Sequence, residues 1–246
     1  MIKKILMTKQ GRKFYAKNTE EDLHTQYGFI VKDGLKEAKE GDLLKSNTGR
    51  EFFIFNPQFI DLYRKIKRGA QIIPLKDIGL IIAETGINRE SRVLDAGSGS
   101  GALACFIASV AKEVVTYEIR EDFIEIVKSN VEFLKLKNIK IKNKDIYEGV
   151  EDRDIDVIVL DLPEPWQALE SCSKALKPGG FLVSYSPSVP QVADFVNALR
   201  KNENFVYLKT SEITEREWEV EERKVRPKSK GIGHSGFLSF ARKVTK

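Results

Sequence analysis

The sequence predicts an α/β protein, a doubly wound and mostly parallel sheet preceded by a small β-rich module. Three observations carry that expectation. Residues 93–108 read VLDAGSGSGALACFIA: an apolar run, an acid, a glycine loop and a run suited to a helix. From about residue 75 onward, strand-like and helix-like stretches alternate, as in a parallel sheet covered on both faces. Before residue 60 the chain instead shows short β-type runs separated by turn residues.

Taken in order, residues 13–16, 27–31 and 51–55 are expected strands, with turns at Gly11, Asp33-Gly34, Gly41-Asp42 and Thr48-Gly49. They define a β-barrel-like module over 1–60, closed by Asn56-Pro57 and expected to serve RNA binding or assembly. A second domain is expected over 61–246, entered by a connecting helix at 58–68 that Gly69 breaks. Residues 77–85 form a helix stopping at Gly86. Then follow strand 92–95, helix 101–111, strand 114–118, helix 121–135 and strands 139–142 and 155–160. Helix 166–176 leads through Pro178-Gly179-Gly180 into strand 181–186 and helix 189–201. Two β segments, 205–216 and 234–243, close the chain.

Composition narrows the class. With 246 residues and 41% hydrophobic content, the chain can bury a substantial core. No apolar run approaches the roughly 20 residues that span a bilayer, and the start lacks the apolar stretch of a signal peptide, so a soluble cytoplasmic protein is expected. Cys105 and Cys172 have no metal-ligand spacing and are expected to be buried thiols; no metal is expected. The net charge of +5 is unevenly spread. Residues 1–70 carry 15 Lys or Arg against nine Asp or Glu, whereas 71–211 carry 17 against 21. Residues 212–222 hold six Glu and one Arg, and 223–246 hold eight basic residues and no acid. Basic clusters at both ends suit a phosphate-rich partner.

The chemistry-bearing residues cluster at strand ends. Gly97, Gly99 and Gly101, with Ser98 and Ser100 between them, let the backbone turn sharply and approach a ligand at a helix start. Glu118 ends the next strand, where an acid can accept both hydroxyls of a ribose. Asp145 and Ile146 follow the third strand, where a turn aspartate is the plainer alternative. Asp161 opens the segment DLPEPW directly after the fourth strand, at the mouth of the crevice such sheets use for ligands. Pro163 and Pro165 stiffen that loop. A carboxylate there suits methylation of an aromatic amine, because it can orient the exocyclic amino group and accept its proton.

The glycine loop and Glu118 resemble the cofactor motif of class I S-adenosylmethionine (SAM)-dependent methyltransferases, whose fold is a Rossmann-like doubly wound sheet. Further segments resemble the tRNA (adenine-N1)-methyltransferase family of the TrmI type, in its archaeal form: residues 22–28 (DLHTQYG), 68–73 (RGAQII), Glu118-Ile119-Arg120, DLPEPW, and 233–237 (GHSGF). The resemblance implies a homotetramer that methylates adenine 58 in the T-loop of tRNA with SAM as donor; in archaeal members adenine 57 can be a second target. It implies Asp161 as the catalytic carboxylate beside the cofactor. It implies Gly97, Ser98, Gly99, Ser100, Gly101, Glu118, Asp145, Ile146 and Asp161 itself as the cofactor site, Ile119 against the adenine, and Gln71 with Ile73 closing over the cofactor. Where relatives place an aromatic or histidine residue to stack on the flipped base, this chain has Pro74, which can pack on a base but cannot match aromatic stacking.

Extracting a T-loop base costs a few kcal/mol, to be offset by phosphate contacts. Arg223, Lys224 and Arg226, beside Lys228, Lys230 and His234, form one basic run; Lys3, Lys4, Lys9, Arg12 and Lys13 form another. The acids from Glu215 to Glu222 are read as a solvated helix face, and His24 and His234 have hydrogen-bonded structural roles as the plainer alternative. Two other functions stay open: a methyltransferase for a protein or metabolite amine, and a non-catalytic tRNA-binding subunit. The latter would be expected to lose the cofactor motif.

Overall fold

The computed structural model describes residues 2–69 and 71–244; Ala70, part of the segment 68–73, and Lys246, part of the basic tail, lie outside the described residues. The chain divides into two compact units, the first ending at Ile66 and the second starting at Lys67.

The first unit contains β1 (Lys4–Met7), β2 (Lys13–Ala16), β3 (Leu23–Thr25), β4 (Gly28–Ile30), α1 (Lys32–Glu37), β5 (Leu43–Lys45), β6 (Glu51–Phe55) and α2 (Phe59–Tyr63). Its antiparallel sheet has the order β2-β1-β6-β5, and β3–β4 is a separate hairpin. The barrel-like module therefore takes the form of an open sheet with β2 and β5 at its edges. Strand β6 shows why it forms: Phe52 and Ile54 point inward and are fully buried, while Glu51 and Phe53 face out. They pack with Leu6, Ile30 and Leu35. The expected helix 58–68 is shorter, α2 alone, started by a reciprocal cap between Gln58 and Asp61. Asp61 also pairs with Lys13 at 2.8 Å. That pair holds α2 to the first unit, so the unit boundary falls after Ile66 rather than after residue 60.

The second unit contains α3 (Leu75–Thr85), β7 (Arg92–Ala96), α4 (Ala102–Ala108), β8 (Glu113–Glu118), α5 (Glu121–Leu134), β9 (Ile139–Asn143), β10 (Ile155–Leu160), α6 (Leu169–Ala175), β11 (Leu176–Ser186), α7 (Val189–Lys201), β12 (Phe205–Glu212), β13 (Trp218–Glu221), β14 (Lys224–Pro227) and β15 (Phe237–Lys243). Seven strands form one sheet in the order β12-β15-β11-β10-β7-β8-β9. The strands from β7 to β11 run parallel, and β15 lies antiparallel between β11 and β12.

The strands are apolar throughout because both faces are covered. Val93, Val114, Val157 and Val183 pack on one face with Ile78 of α3 and Ile107 of α4. Their neighbours Leu94, Val115, Ile158 and Leu182 pack on the other face with Cys172 of α6 and Phe195 of α7. Each such side chain contributes about 1.5–3 kcal/mol on burial. Burial pushes the Cys105 thiol up to about 12, so it stays protonated and inert at neutral pH.

Three local expectations change. Helix 166–176 begins as a 3-10 turn at Pro165–Ala168 before α6. Strand 205–216 stops at Glu212, and β13–β14 is a hairpin that the sequence pattern does not announce. The acids after Glu212 thus lie along a strand and its approaches rather than on a helix. In that hairpin Glu219 faces Arg226 and Glu221 faces Lys224 across the ladder, which selects strand pairing over helix.

Among the described residues, no helix is long and apolar enough to cross a membrane, and no group of His, Cys, Asp or Glu has a metal-binding arrangement.

Candidate active site

From β7 the chain proceeds to β8 and β9 on one side, then returns to β10 and β11 on the other. Ligands bind at such a switch point, at the carboxyl ends of the strands. A cavity of about 530 Å³ lies there. Its lining includes Gly97 and Gly99 after β7, Glu118 and Ile119 at the end of β8, Asp145 and Ile146 after β9, Asp161 after β10, and Gln71. An adjoining smaller cavity is lined by Ile73, Asp95, Ser98 and Ser100, together with Gly97 and Asp161.

The glycine loop is required by packing as well as by ligand access. Gly97 has φ +86°, and a Cβ on it would stand 2.0 Å from the backbone oxygen of Asp161. Only glycine lets the loop after β7 and the loop after β10 lie this close. Glu118 is buried, and its carboxylate accepts from the backbone N–H of Gly99 at 2.9 Å and of Ile119 and Arg120 at 3.0 Å. It ties the end of β8 to the glycine loop while facing the cavity. Asp145 fills the plainer role weighed for it, Oδ1 accepting from Tyr147 N at 2.8 Å to cap a 3-10 turn, and it also lines the cavity. Ile146 is buried, whereas Ile119 is 62% exposed and offers an apolar face at the rim.

Two carboxyls dominate the electrostatics. Burial pushes Asp161 up to about 7. Burial also pushes Asp95 up to about 7, opposed by the Thr116 hydroxyl and reinforced by the charges of Asp161 and Glu118. Thr116 Oγ1 donates to Asp95 Oδ2 at 2.7 Å, while Oδ1 is buried without a hydrogen-bond partner among the described residues. An orphaned carboxylate oxygen with two further acids around the same space is a poor arrangement for an empty apolar site and a good one for a cationic ligand. SAM carries both a sulfonium and an ammonium, so the residues present fit it. Asp95 was visible in the sequence as the acid before the glycines, but its role depends on the Asp95–Thr116 pairing between β7 and β8. Tyr147 and Phe123, also on the cavity wall, carried no separable sequence signal.

Other expected residues lie elsewhere. Gly101 is the N-cap of α4 and Pro74 the N-cap of α3. Neither lines the two cavities, although Pro74 directly follows the lining residue Ile73. Lys224 pairs with Glu219 and Glu221 at 3.4 and 3.3 Å, Arg226 with Glu219 at 2.7 Å, and Lys228 with Glu217. Arg223 lies at the turn of the same hairpin. The basic run is therefore largely matched by the acids that precede it.

His234 bonds Glu212 at 2.6 Å and the Pro187 carbonyl at 3.0 Å; the Glu212 bond leads in raising its pKa. The next residue completes a clamp. Lys76 Nζ donates to Asp77 at 2.8 Å and to Ser235 Oγ at 2.6 Å; Ser235 Oγ donates to Asp77 Oδ2 at 2.8 Å. Tyr185 donates to the Ser235 carbonyl at 2.5 Å. Segment 233–237 is thereby fastened to the first turn of α3, just after the wall formed by Gln71 to Ile73.

Residues 62–234 match the family described as tRNA methyltransferase complex GCD14 subunit. The tRNA (adenine(57)-N(1)/adenine(58)-N(1))-methyltransferase TrmI of Methanocaldococcus jannaschii is 35% identical over 97% of this chain and 94% of its own length. The tRNA (adenine(58)-N(1))-methyltransferase TrmI of Thermus thermophilus is 31% identical over 97% and 96%. Among solved structures, TrmI from Aquifex aeolicus has a TM-score of 0.85 at 27% identity, covering 99% of this chain and 97% of that one. A SAM-dependent O-methyltransferase from Thermotoga maritima has a TM-score of 0.90 at 28% identity, covering 100% and 94%. A seven-stranded sheet with its acids gathered at the switch point, and relatives matched along nearly its whole length, lead to one assignment: the chain belongs to the GCD14 family of tRNA methyltransferases, which its TrmI relatives represent.

Proposed function

We propose that the protein methylates N1 of adenine 58 in the T-loop of tRNA, with adenine 57 as the second target that the name of the M. jannaschii relative raises. The observation that carries this is Asp161, a buried carboxyl at the end of β10 whose pKa is pushed up to about 7. SAM supplies an electrophilic methyl group when bound. Glu118 would hold the ribose, Asp145 and Ile146 with Ile119 would hold the adenine ring, and the glycine loop would admit the amino-acid end. The charge of Asp95 would favour the cationic end, and Gln71 with Ile73 would close the wall. Asp161 orients the exocyclic amine of the target adenine. When N1 acquires the methyl group the ring becomes cationic and that amine becomes more acidic. Asp161 then takes its proton, a transfer suited to a base whose pKa lies near the working pH.

The target base leaves its stack to reach Asp161, and phosphate contacts offset that cost. On the β13–β14 hairpin, Arg223 at the turn offers its guanidinium directly. Lys224 and Arg226 exchange exposed carboxylate partners, which stabilise little, for phosphates. His234 and Pro74 are assigned to contact the target base on the family resemblance. A homotetramer, implied by the family resemblance, and the cytoplasmic location expected from composition complete the proposal.

Labelled SAM incubated with an unmodified tRNA transcript, followed by nucleoside mapping by mass spectrometry, tests this. The expected product is 1-methyladenosine at position 58, lost when that adenine is replaced by guanosine; a second 1-methyladenosine at 57 would add that adenine as a target. SAM binding with no methyl group on tRNA would overturn the proposed substrate and point to another amine.

A further inference from the structure

The first unit carries a cationic site of its own. The β1–β2 and β5–β6 turns lie at one end of the sheet, since Met7 pairs with both Lys13 and Phe53, and Lys45 pairs with Glu51. The β3–β4 turn is fastened to the β5–β6 turn. Phe29 N donates to Asn47 Oδ1 at 2.8 Å, Asn47 N donates to the Phe29 carbonyl at 2.9 Å, and Thr48 Oγ1 donates to the Tyr27 carbonyl at 2.8 Å. Gly28 permits this approach, because a Cβ there would stand 2.1 Å from Asn47 Oδ1.

Tyr27 sits where the three turns meet. Arg12 donates to its hydroxyl at 2.9 Å, and the Arg12 guanidinium is 5.8 Å from the ring centroid. The Arg50 guanidinium is 5.0 Å from the same centroid and also donates to the neutral side chain of Gln10. Among the described residues, neither guanidinium forms a salt bridge to a carboxylate, in contrast to Lys224, Arg226 and Lys228 of the hairpin. Two like charges share one aromatic ring, on a scaffold built to hold them. An anion between them would relieve their repulsion, and a guanidinium fork matches a phosphate through paired N–H donors.

We propose that Arg12 and Arg50, held on Tyr27, form a phosphate clamp for the backbone of the tRNA substrate. This rests on the tRNA function proposed above. A polyanion with regularly spaced phosphates satisfies both forks at once, and each phosphate held should release counterions and steepen the salt dependence of binding.

The test uses the full-length protein and an unmodified tRNA transcript, with Kd measured across a salt series. SAM affinity and thermal unfolding are followed on the same proteins. The R12Q/R50Q variant is expected to bind tRNA more weakly, with a slope of log K against log salt shallower by about 0.9 for each phosphate no longer neutralised, and with unchanged SAM affinity. The K36Q/K45Q variant removes two charges already paired with Glu20 and Glu51, and is expected to keep the wild-type slope. Single variants R12Q and R50Q should each give part of the change. A wild-type slope and Kd in R12Q/R50Q would overturn the proposal. So would weaker retention on heparin with unchanged tRNA affinity, which would leave a general anion patch. Absence of tRNA binding by the wild type would overturn the tRNA function itself, and the clamp with it.

Discussion

Asp161 and Asp95 are carboxyls that folding pushes up to about 7, chiefly by burial. Their folded pKa exceeds the unfolded value, so the folded chain binds more protons than the unfolded chain between about pH 4 and 7. Their contribution to stability is therefore lost as pH rises from about 4 to 7, and above about pH 7 a bound cation offsets the buried charges. The thermal shift produced by SAM is expected to be larger at pH 8 than at pH 6; equal shifts would separate these acids from the cofactor site. If Asp161 is the base, kcat/KM should fall as pH drops below about 7, and a flat profile from pH 6 to 8 would remove it from that role. Gly97→Ala should abolish cofactor binding or folding, because its Cβ meets the Asp161 carbonyl at 2.0 Å; normal SAM affinity in that variant would show that the two loops can separate. Asp161 was legible because an acid ending an apolar run stands at a strand's carboxyl end. The orphaned oxygen of Asp95 was not, because it follows from burial and from the partner chosen across the β7–β8 register.

At the scale of elements, the β13–β14 hairpin shows where charge counting stops. The sequence exposed an acidic run followed by a basic one, but only strand pairing sets Glu219 beside both Lys224 and Arg226. Glu219→Gln is expected to tighten tRNA binding and steepen its salt dependence, while neutralising Arg223, Lys224 and Arg226 together should flatten it. If neither variant alters the slope, the hairpin faces away from RNA. The clamp between α3 and segment 233–237 gives meaning to a motif that resemblance marked without explaining. Ser235→Ala should cost about 1 kcal/mol through the hydrogen bonds it removes. Asp77→Ala should cost about 3–5 kcal/mol, since it leaves Lys76 largely buried without its carboxylate. Thermal denaturation checks both, and equal costs would contradict the ranking.

For the whole molecule, alternating strand and helix segments sufficed to anticipate the parallel sheet, because each βα unit declares itself locally. No local pattern marks the antiparallel placement of β15, which follows from its pairing with β11 and β12. In the first unit β3 and β5 escaped for a similar reason: they are three residues each and owe their pairing to neighbours. The sheet order converts four separate stretches of sequence into one site. The glycine loop, Glu118, Asp145 and Asp161 are far apart in the chain and share a cavity because β7, β8, β9 and β10 end on the same side. The most direct test is methyl transfer to unmodified tRNA by Asp161→Ala, with SAM affinity measured on the same protein. Near-normal SAM binding with transfer reduced by about 100-fold or more is predicted. Turnover within a few-fold of wild type would contradict the assignment of Asp161 as the base of the reaction.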